Sequence, residues 1–195
     1  MLIISQIPEM LIAIYPIYYI LSKNHSYTKL GFFKDSKKVL KGIFIGVIGA
    51  ISLILLNLLY NSLISYLAEI GLDFFDMETE IIIQNQIIRD ADFIYVFLLI
   101  VLIAIGAASL EIVYRGVLHN ALKQKFRNDV YTILSVALIY SIFIIFIYPN
   151  PAYFLLNFLG FVVLGILWEL SNGNIYSTLI ASVFYNILLI VLIYF

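Results

Sequence analysis

The sequence predicts an all-α integral membrane protein, a helical bundle of about six transmembrane helices in one domain. Three observations predict it. Hydrophobic residues make up 64% of the 195-residue chain and charged residues 12%, with a mean hydropathy of +1.07. A soluble domain of this size needs far more polar surface to cover its core. Apolar stretches recur at about the 20 residues that a helix needs to cross a hydrocarbon layer roughly 30 Å thick. The charges fall between those stretches and segregate by sign.

The first segment, residues 2–22, is interrupted by Pro8, Glu9 and Pro16. It lacks a basic start, and no small-x-small site precedes SKNHSYTK, so it reads as a span and not as a signal peptide. The others are 42–66, 93–112, 130–148, 152–168 and 175–195. Their β-branched and aromatic residues are no obstacle, because a helix in lipid satisfies its own backbone. METEIIIQNQII, residues 77–88, has the pattern of an interfacial amphipathic helix. No internal repeat or low-complexity linker divides residues 1–195, which form one membrane domain with two helices and an acidic loop in 1–92.

Charge sets the orientation. Lys23, Lys29, Lys34, Lys37, Lys38 and Lys41 lie between the first two segments, and Lys123, Lys125 and Arg127 between the third and fourth. The loop 69–92 carries Glu69, Asp73, Asp76, Glu78, Glu80, Asp90 and Asp92 against Arg89. The positive-inside rule puts the basic loops in the cytoplasm of a multi-pass cell-membrane protein, with both termini, the acidic loop and the YPNP turn at 148–151 outside. A net charge of -1 offers nothing to nucleic acid, so the expected partners are membrane lipids and a membrane protein. Without cysteine there is no disulfide, thiolate site or cysteine nucleophile. His25 and His119 are too few for a His-rich zinc site; no metal and no cofactor is expected.

The stretch SLEIVYRG, residues 109–116, places two charges at the end of an apolar run. Glu111 and Arg115 are i and i+4 on a helix and share a face. Ionisable residues at this depth are functional candidates by default. The plainer reading is a salt bridge that anchors the helix end, with Arg115 snorkelling to the cytoplasm. Residues 159–186, LGFVVLGILWELSNGNIYSTLIASVFYN, add Gly160, Gly165, an SNGN turn, and Ser182 and Asn186 one turn apart.

This combination resembles the CAAX prenyl protease and bacteriocin-processing (Abi or CPBP) family of intramembrane proteases, over residues 93–190. That family carries Glu-Glu-x-x-x-Arg, often followed by Gly, then Phe-x-x-x-His, then His-x-x-x-Asn or Asp after a glycine turn. The resemblance implies a bundle around a conical cavity open to the cytosol. It implies that the first Glu and the second-motif His activate a water, and that the last His and Asn stabilise an oxyanion. Aligning Arg115 and Gly116 puts Leu110 at the first Glu and Glu111 at the second. The third motif puts Ser182 at its His and keeps Asn186, and segment 130–148 holds no histidine.

The member implied is catalytically degraded, with Glu111, Arg115 and Asn186 as remnants and Leu110 and Ser182 as altered positions. Glu111 lies about 100° round the helix from Leu110 and does not simply take over. Ser182 and Asn186 can donate to an oxyanion, but donors without an activated nucleophile do not make a protease. The remnant reads as structural, Glu111 paired with Arg115 and Asn186 bonding across the bundle.

Elsewhere, His119 and His25 read as solvated surface histidines, and Glu9 as a residue of the outer interface. Glu169 after Trp168 reads as an interfacial anchor, and the aromatic residues as mostly lipid-facing. The leading function is a pseudoprotease that binds or scaffolds a membrane partner, as an accessory subunit or immunity-type protein. The alternative is an atypical intramembrane endopeptidase that processes CAAX or leader peptides. A small transporter-like protein is disfavoured, because the spans lack mid-membrane charge pairs and an inverted repeat.

The topology has a direct check. A cytoplasmic reporter fused after Phe195 is expected to be inactive, and one inserted near Lys37 active. The reverse pattern, or one side for both, refutes the assignment.

Overall fold

Polar residues at the ends of the apolar runs set where each helix begins. The computed structural model describes residues 10–22, 26–72 and 77–195. In chain order these form α1 (Ile14–Ser22), a 3-10 turn (Tyr27–Leu30), α2 (Ser36–Glu69), α3 (Glu78–Arg89) and α4 (Phe93–Glu111). A π-helical segment (Ile112–His119), α5 (Asn120–Phe126), α6 (Asp129–Ile145), α7 (Pro151–Leu170) and α8 (Ile175–Tyr194) follow. Asp35, Asp92, Asn128, Asn150 and Asn174 cap α2, α4, α6, α7 and α8, each side chain accepting a backbone N–H of the first turn. Pro151 follows its cap at a position where a missing N–H costs nothing.

The chain is an all-α multi-pass membrane bundle. Six spans are expected; among the described residues, four helical runs are long and apolar enough to cross a membrane: Ser36–Glu69, Phe93–Phe126, Pro151–Leu170 and Ile175–Tyr194. The other two are shorter apolar helices, Met10–Tyr19 and Asp129–Ile145. The third run exceeds its expected end at 112, because the backbone stays helical through the π segment to Phe126. The stretch at 77–88 is helical, as α3. Residues 2–9 of the first expected segment, Glu9 among them, and His25 lie outside the described residues.

α8 is the centre of the bundle. It packs against α2, α4 and α7, and α6 packs on α7. The contact with α2 is close because α2 presents Gly42, Gly46, Gly49 and Ala50, all buried. A Cβ on Gly46 would lie 2.7 Å from Ile180 Cβ and 2.8 Å from the Ser177 carbonyl oxygen. Small residues let membrane helices approach this closely, and van der Waals packing then holds them. On its other side α2 exposes Phe44, Ile51, Leu55 and Leu59, a surface suited to lipid.

The basic-loop end is tied together by the backbone. Gly31 ends the 3-10 turn with a φ of 90° and accepts Ile175 N at 3.1 Å. A Cβ there would lie 2.4 Å from the Gly173 oxygen, so a glycine is required by both conformation and space. Asn174 Nδ2 donates to Lys38 O at 2.6 Å, which joins the 171–174 turn to α2. At the acidic-loop end, Arg89 Nε donates to Ile193 O at 3.1 Å and fastens α3 to α8.

Gly46→Val is expected to destabilise the bundle by about 1–3 kcal/mol through overpacking against a backbone that has nowhere to go. Gly160→Ala is expected to be neutral or stabilising, since its Cβ meets only Leu53 Cδ2 at 3.9 Å. Denaturation in detergent measures both, and equal stability of Gly46→Val and wild type would refute the close α2–α8 contact.

Candidate functional site

Two charges are buried together where α4 ends. Glu111 is 1% exposed and Arg115 0%. Arg115 Nε lies 3.6 Å from Glu111 Oε2, and Arg115 Nη2 donates to the Phe161 carbonyl at 2.8 Å. The guanidinium carbon also sits 4.6 Å from the centre of the Phe161 ring, a cation–π arrangement. The expected snorkelling of Arg115 is therefore corrected. The side chain turns inward, because an ion pair, a carbonyl and an aromatic face all meet it there.

Glu111 of this pair borders a cavity of about 370 Å³. α4 contributes Leu110 and Glu111, α6 Tyr140, α7 Asn157 and Phe161, and α8 Ser182 and Asn186. Leu110, Ser182 and Asn186, read from sequence as one site, thus line one wall system. The cavity follows more than one residue's arc of α4, so Glu111 reaches it despite its offset from Leu110. Asn186 differs from expectation. Its Nδ2 donates to Ser182 O at 2.8 Å, one turn back on its own helix, and not across the bundle.

Sequence reasoning left the second-motif position empty. The residue that α6 sends to the cavity is Tyr140, stacked on Phe161 with centroids 3.6 Å apart and an interplanar angle of 14°. Tyr114 packs edge-on against both rings, at 5.1 and 5.4 Å. These aromatic residues form core and are not lipid-facing. Asn57 and Asn157 were also missed. Asn57 Nδ2 donates to Tyr185 Oη at 2.6 Å, and Asn157 Nδ2 to Tyr153 O at 2.8 Å. The signal that could have found them is an amide inside an apolar run, rare unless it faces protein or water.

His119 is corrected most. It is fully buried, and its Nε2 meets Glu169 Oε1 at 2.7 Å. Lys123 Nζ binds the other oxygen of Glu169 and lies 3.1 Å from Asp129 Oδ1. The π-helical segment carries His119 inward beside Trp168, itself buried, at 6.0 Å between ring centres. Glu169 is thus an internal partner and not a free interfacial anchor. This cluster lies outside the cavity lining, toward the basic loops. Among the described residues, no group of three or more His, Cys, Asp or Glu side chains gathers for a metal ion.

The cavity can therefore hydrogen-bond through amides and hydroxyls and pack apolar groups. Its one carboxylate is held by Arg115, and no imidazole lines it. A general base needs a free lone pair at hydrogen-bond reach of the proton that it takes.

A double-mutant cycle tests the pair. Arg115→Leu is expected to cost about 3–5 kcal/mol, because it strands a buried carboxylate, and Glu111→Leu/Arg115→Leu to recover most of the loss. A double variant as damaged as the sum of the singles would show that the two charges are not coupled.

The comparisons with known proteins fall on this half of the molecule. The family model for type II CAAX prenyl endopeptidase Rce1-like proteins matches residues 92–188. No curated protein and no solved structure matches the chain. The matched region runs from the start of α4 almost to the end of α8 and contains Leu110, Glu111, Arg115, Tyr140, Ser182 and Asn186. Through this core, the chain belongs to the Rce1-like family of CAAX-protease-like membrane proteins.

Proposed function

We propose that this CAAX-protease-like protein binds a membrane-borne ligand or partner in its cavity and does not cleave it. One observation carries the reading. The wall presents Leu110 and Ser182 at positions where the family's motifs imply a water-activating glutamate and an oxyanion-binding histidine, and the residue of α6 that lines it is Tyr140. A leucine takes no proton. The Tyr140 ring is stacked on Phe161, and a serine needs a neighbouring base to become a nucleophile. What supports binding is the retained shape, a cavity inside the commonly observed range of roughly 300–1,000 Å³ for ligand sites. Such a protein serves as a scaffold or accessory subunit, with its basic loops in the cytoplasm.

A second reading, an atypical endopeptidase, has one observation in its favour. Glu111 borders the cavity, and its Oε2 makes no hydrogen bond. Release from Arg115 would give it a role as base.

Hydrolysis separates the two. Purified protein in mild detergent is expected to leave a farnesylated CAAX peptide and a bacteriocin leader peptide uncut, at the background of the Glu111→Ala variant. Cleavage above background that vanishes in Glu111→Ala would replace the binding reading by the second one.

A further inference from the structure

A second pocket, of about 690 Å³, lies at the basic-loop end and shares no lining residue with the cavity. Three segments far apart in the chain build it. The 3-10 turn brings Thr28 and Lys29, α5 brings Lys123 and Gln124, and the passage from α7 to α8 brings Trp168 and Asn172. Two lysines line it and no carboxylate does. Trp168 gives it an apolar floor. Gly31 and Gly173 lie against that ring, and a Cβ on Gly31 would come 2.8 Å from Trp168 Cη2. Lys123 is held in place by Glu169 and Asp129. Thr28, Lys29, Gln124 and Asn172 are exposed.

The depth of this pocket follows from the helix lengths. α7 and α8 have 20 residues each and are joined by the turn 171–174. Such a helix rises about 30 Å, the thickness of the hydrocarbon layer. The turn therefore sits at the level of the lipid headgroups, and Asn172 and Gly173 of this turn line the pocket. The same end is basic. Lys34, Lys37, Lys38, Lys125 and Arg127 are exposed there, against Asp35 and Asp129. It also exposes Tyr27, Leu40 and Phe126, and aromatic and apolar surface at this depth meets lipid.

We propose that this pocket takes the phosphate headgroup of an anionic membrane lipid. Lys29 and Lys123 supply positive charge, and the Thr28 hydroxyl and the Gln124 and Asn172 amides can donate to phosphate oxygens. A phosphate offers acceptors and no strong donor, which matches a lining with ammonium groups and no carboxylate. Glu169 and Asp129 compensate part of the Lys123 charge, so Lys29 carries most of the discrimination. Depth selects a lipid over a dissolved phosphate, because the chains below the headgroup continue along the apolar side chains of the same end. The site stands apart from the cavity and does not depend on the binding reading above.

Trp168 is the sole tryptophan of the chain, so its fluorescence reads the pocket directly. The full chain in mild detergent is titrated with dihexanoyl phosphatidylglycerol, with dihexanoyl phosphatidylcholine and glycerol phosphate as controls. Phosphatidylglycerol is expected to give a saturable change, and the controls none at the same concentrations. Lys29→Gln is expected to raise the half-saturating concentration about 5-fold, the effect of one lysine near an anionic surface, and Lys29→Arg to restore it. Lys125→Gln, on the same basic end but outside the lining, is expected to change it less than ~2-fold, since an exposed charge away from a site counts little. Equal losses in Lys29→Gln and Lys125→Gln would mean diffuse attraction and overturn the site, and so would the lack of any saturable change. An equal response to phosphatidylcholine overturns recognition of the anionic headgroup, and an equal response to glycerol phosphate overturns the lipid source. Lys29→Arg guards against a variant that fails to fold. If it loses binding as Lys29→Gln does, charge is not the cause, and the site is overturned.

Discussion

The arrangement of the inner half follows from one constraint: a carboxylate and a guanidinium are buried together in a bundle with little other polar surface. Unpaired, either charge is costly at membrane depth. Paired, each still has hydrogen-bonding capacity to satisfy, and the surrounding helices are placed to satisfy part of it. Arg115 reaches the Phe161 carbonyl of α7, and its flat face rests on the Phe161 ring. That ring stacks on Tyr140 of α6, and Tyr114 packs edge-on against both. One ion pair thus fixes the relation of α4 to α6 and α7, two helices that pack on each other.

The π-helical segment is the device that makes room for this. π turns are rare, short and frequent at functional sites, because they shift the faces of a helix without ending it. Here the segment starts immediately after Glu111 and ends at His119. Within it Gly116 is met by Leu30, and its carbonyl is taken by Asn120 Nδ2 at 2.9 Å. The same amide reaches Lys29 O at 3.1 Å, so the widened turn is pinned to the 3-10 turn of the basic loop. The packing of the basic-loop turn and the burial of the ion pair are therefore one construction.

The fold was legible in the sequence to the extent that it depends on composition and the length of apolar runs. Apolar runs gave the long helices to within several residues of their ends, except where the third continues to Phe126, and the i, i+4 spacing gave the Glu111–Arg115 pair. The illegible parts share a physical cause. A π turn preserves the apolar pattern, so nothing in IVYRGVLH announced that His119 would turn inward. The direction of an asparagine amide is decided by a carbonyl one turn away on its own helix, which is why Asn186 did not cross the bundle. Tyr140 looked like one aromatic among many, because in a membrane segment the lipid-facing and core-facing sides are equally apolar. The same lack of contrast hid the contact made by Gly42, Gly46 and Gly49, though their spacing is visible once α8 is known to lie against them.

The positions read from the sequence as altered and as retained also separate on energetic grounds. Leu110 and Ser182 stand alone at the cavity wall. A glutamate at 110 would be a charge without a built partner, since Arg115 is already engaged by Glu111 and Phe161, so an apolar residue there lowers the desolvation cost. Glu111 and Arg115 differ because neither can be changed by itself. Removal of one leaves the other buried and unpaired, a larger penalty than the pair's own desolvation. Single substitutions can therefore empty a site of its reactive groups while the ion pair, the aromatic stack and the cavity shape that they support stay in place. On the binding reading proposed above, a protein that uses the shape alone needs only those coupled parts.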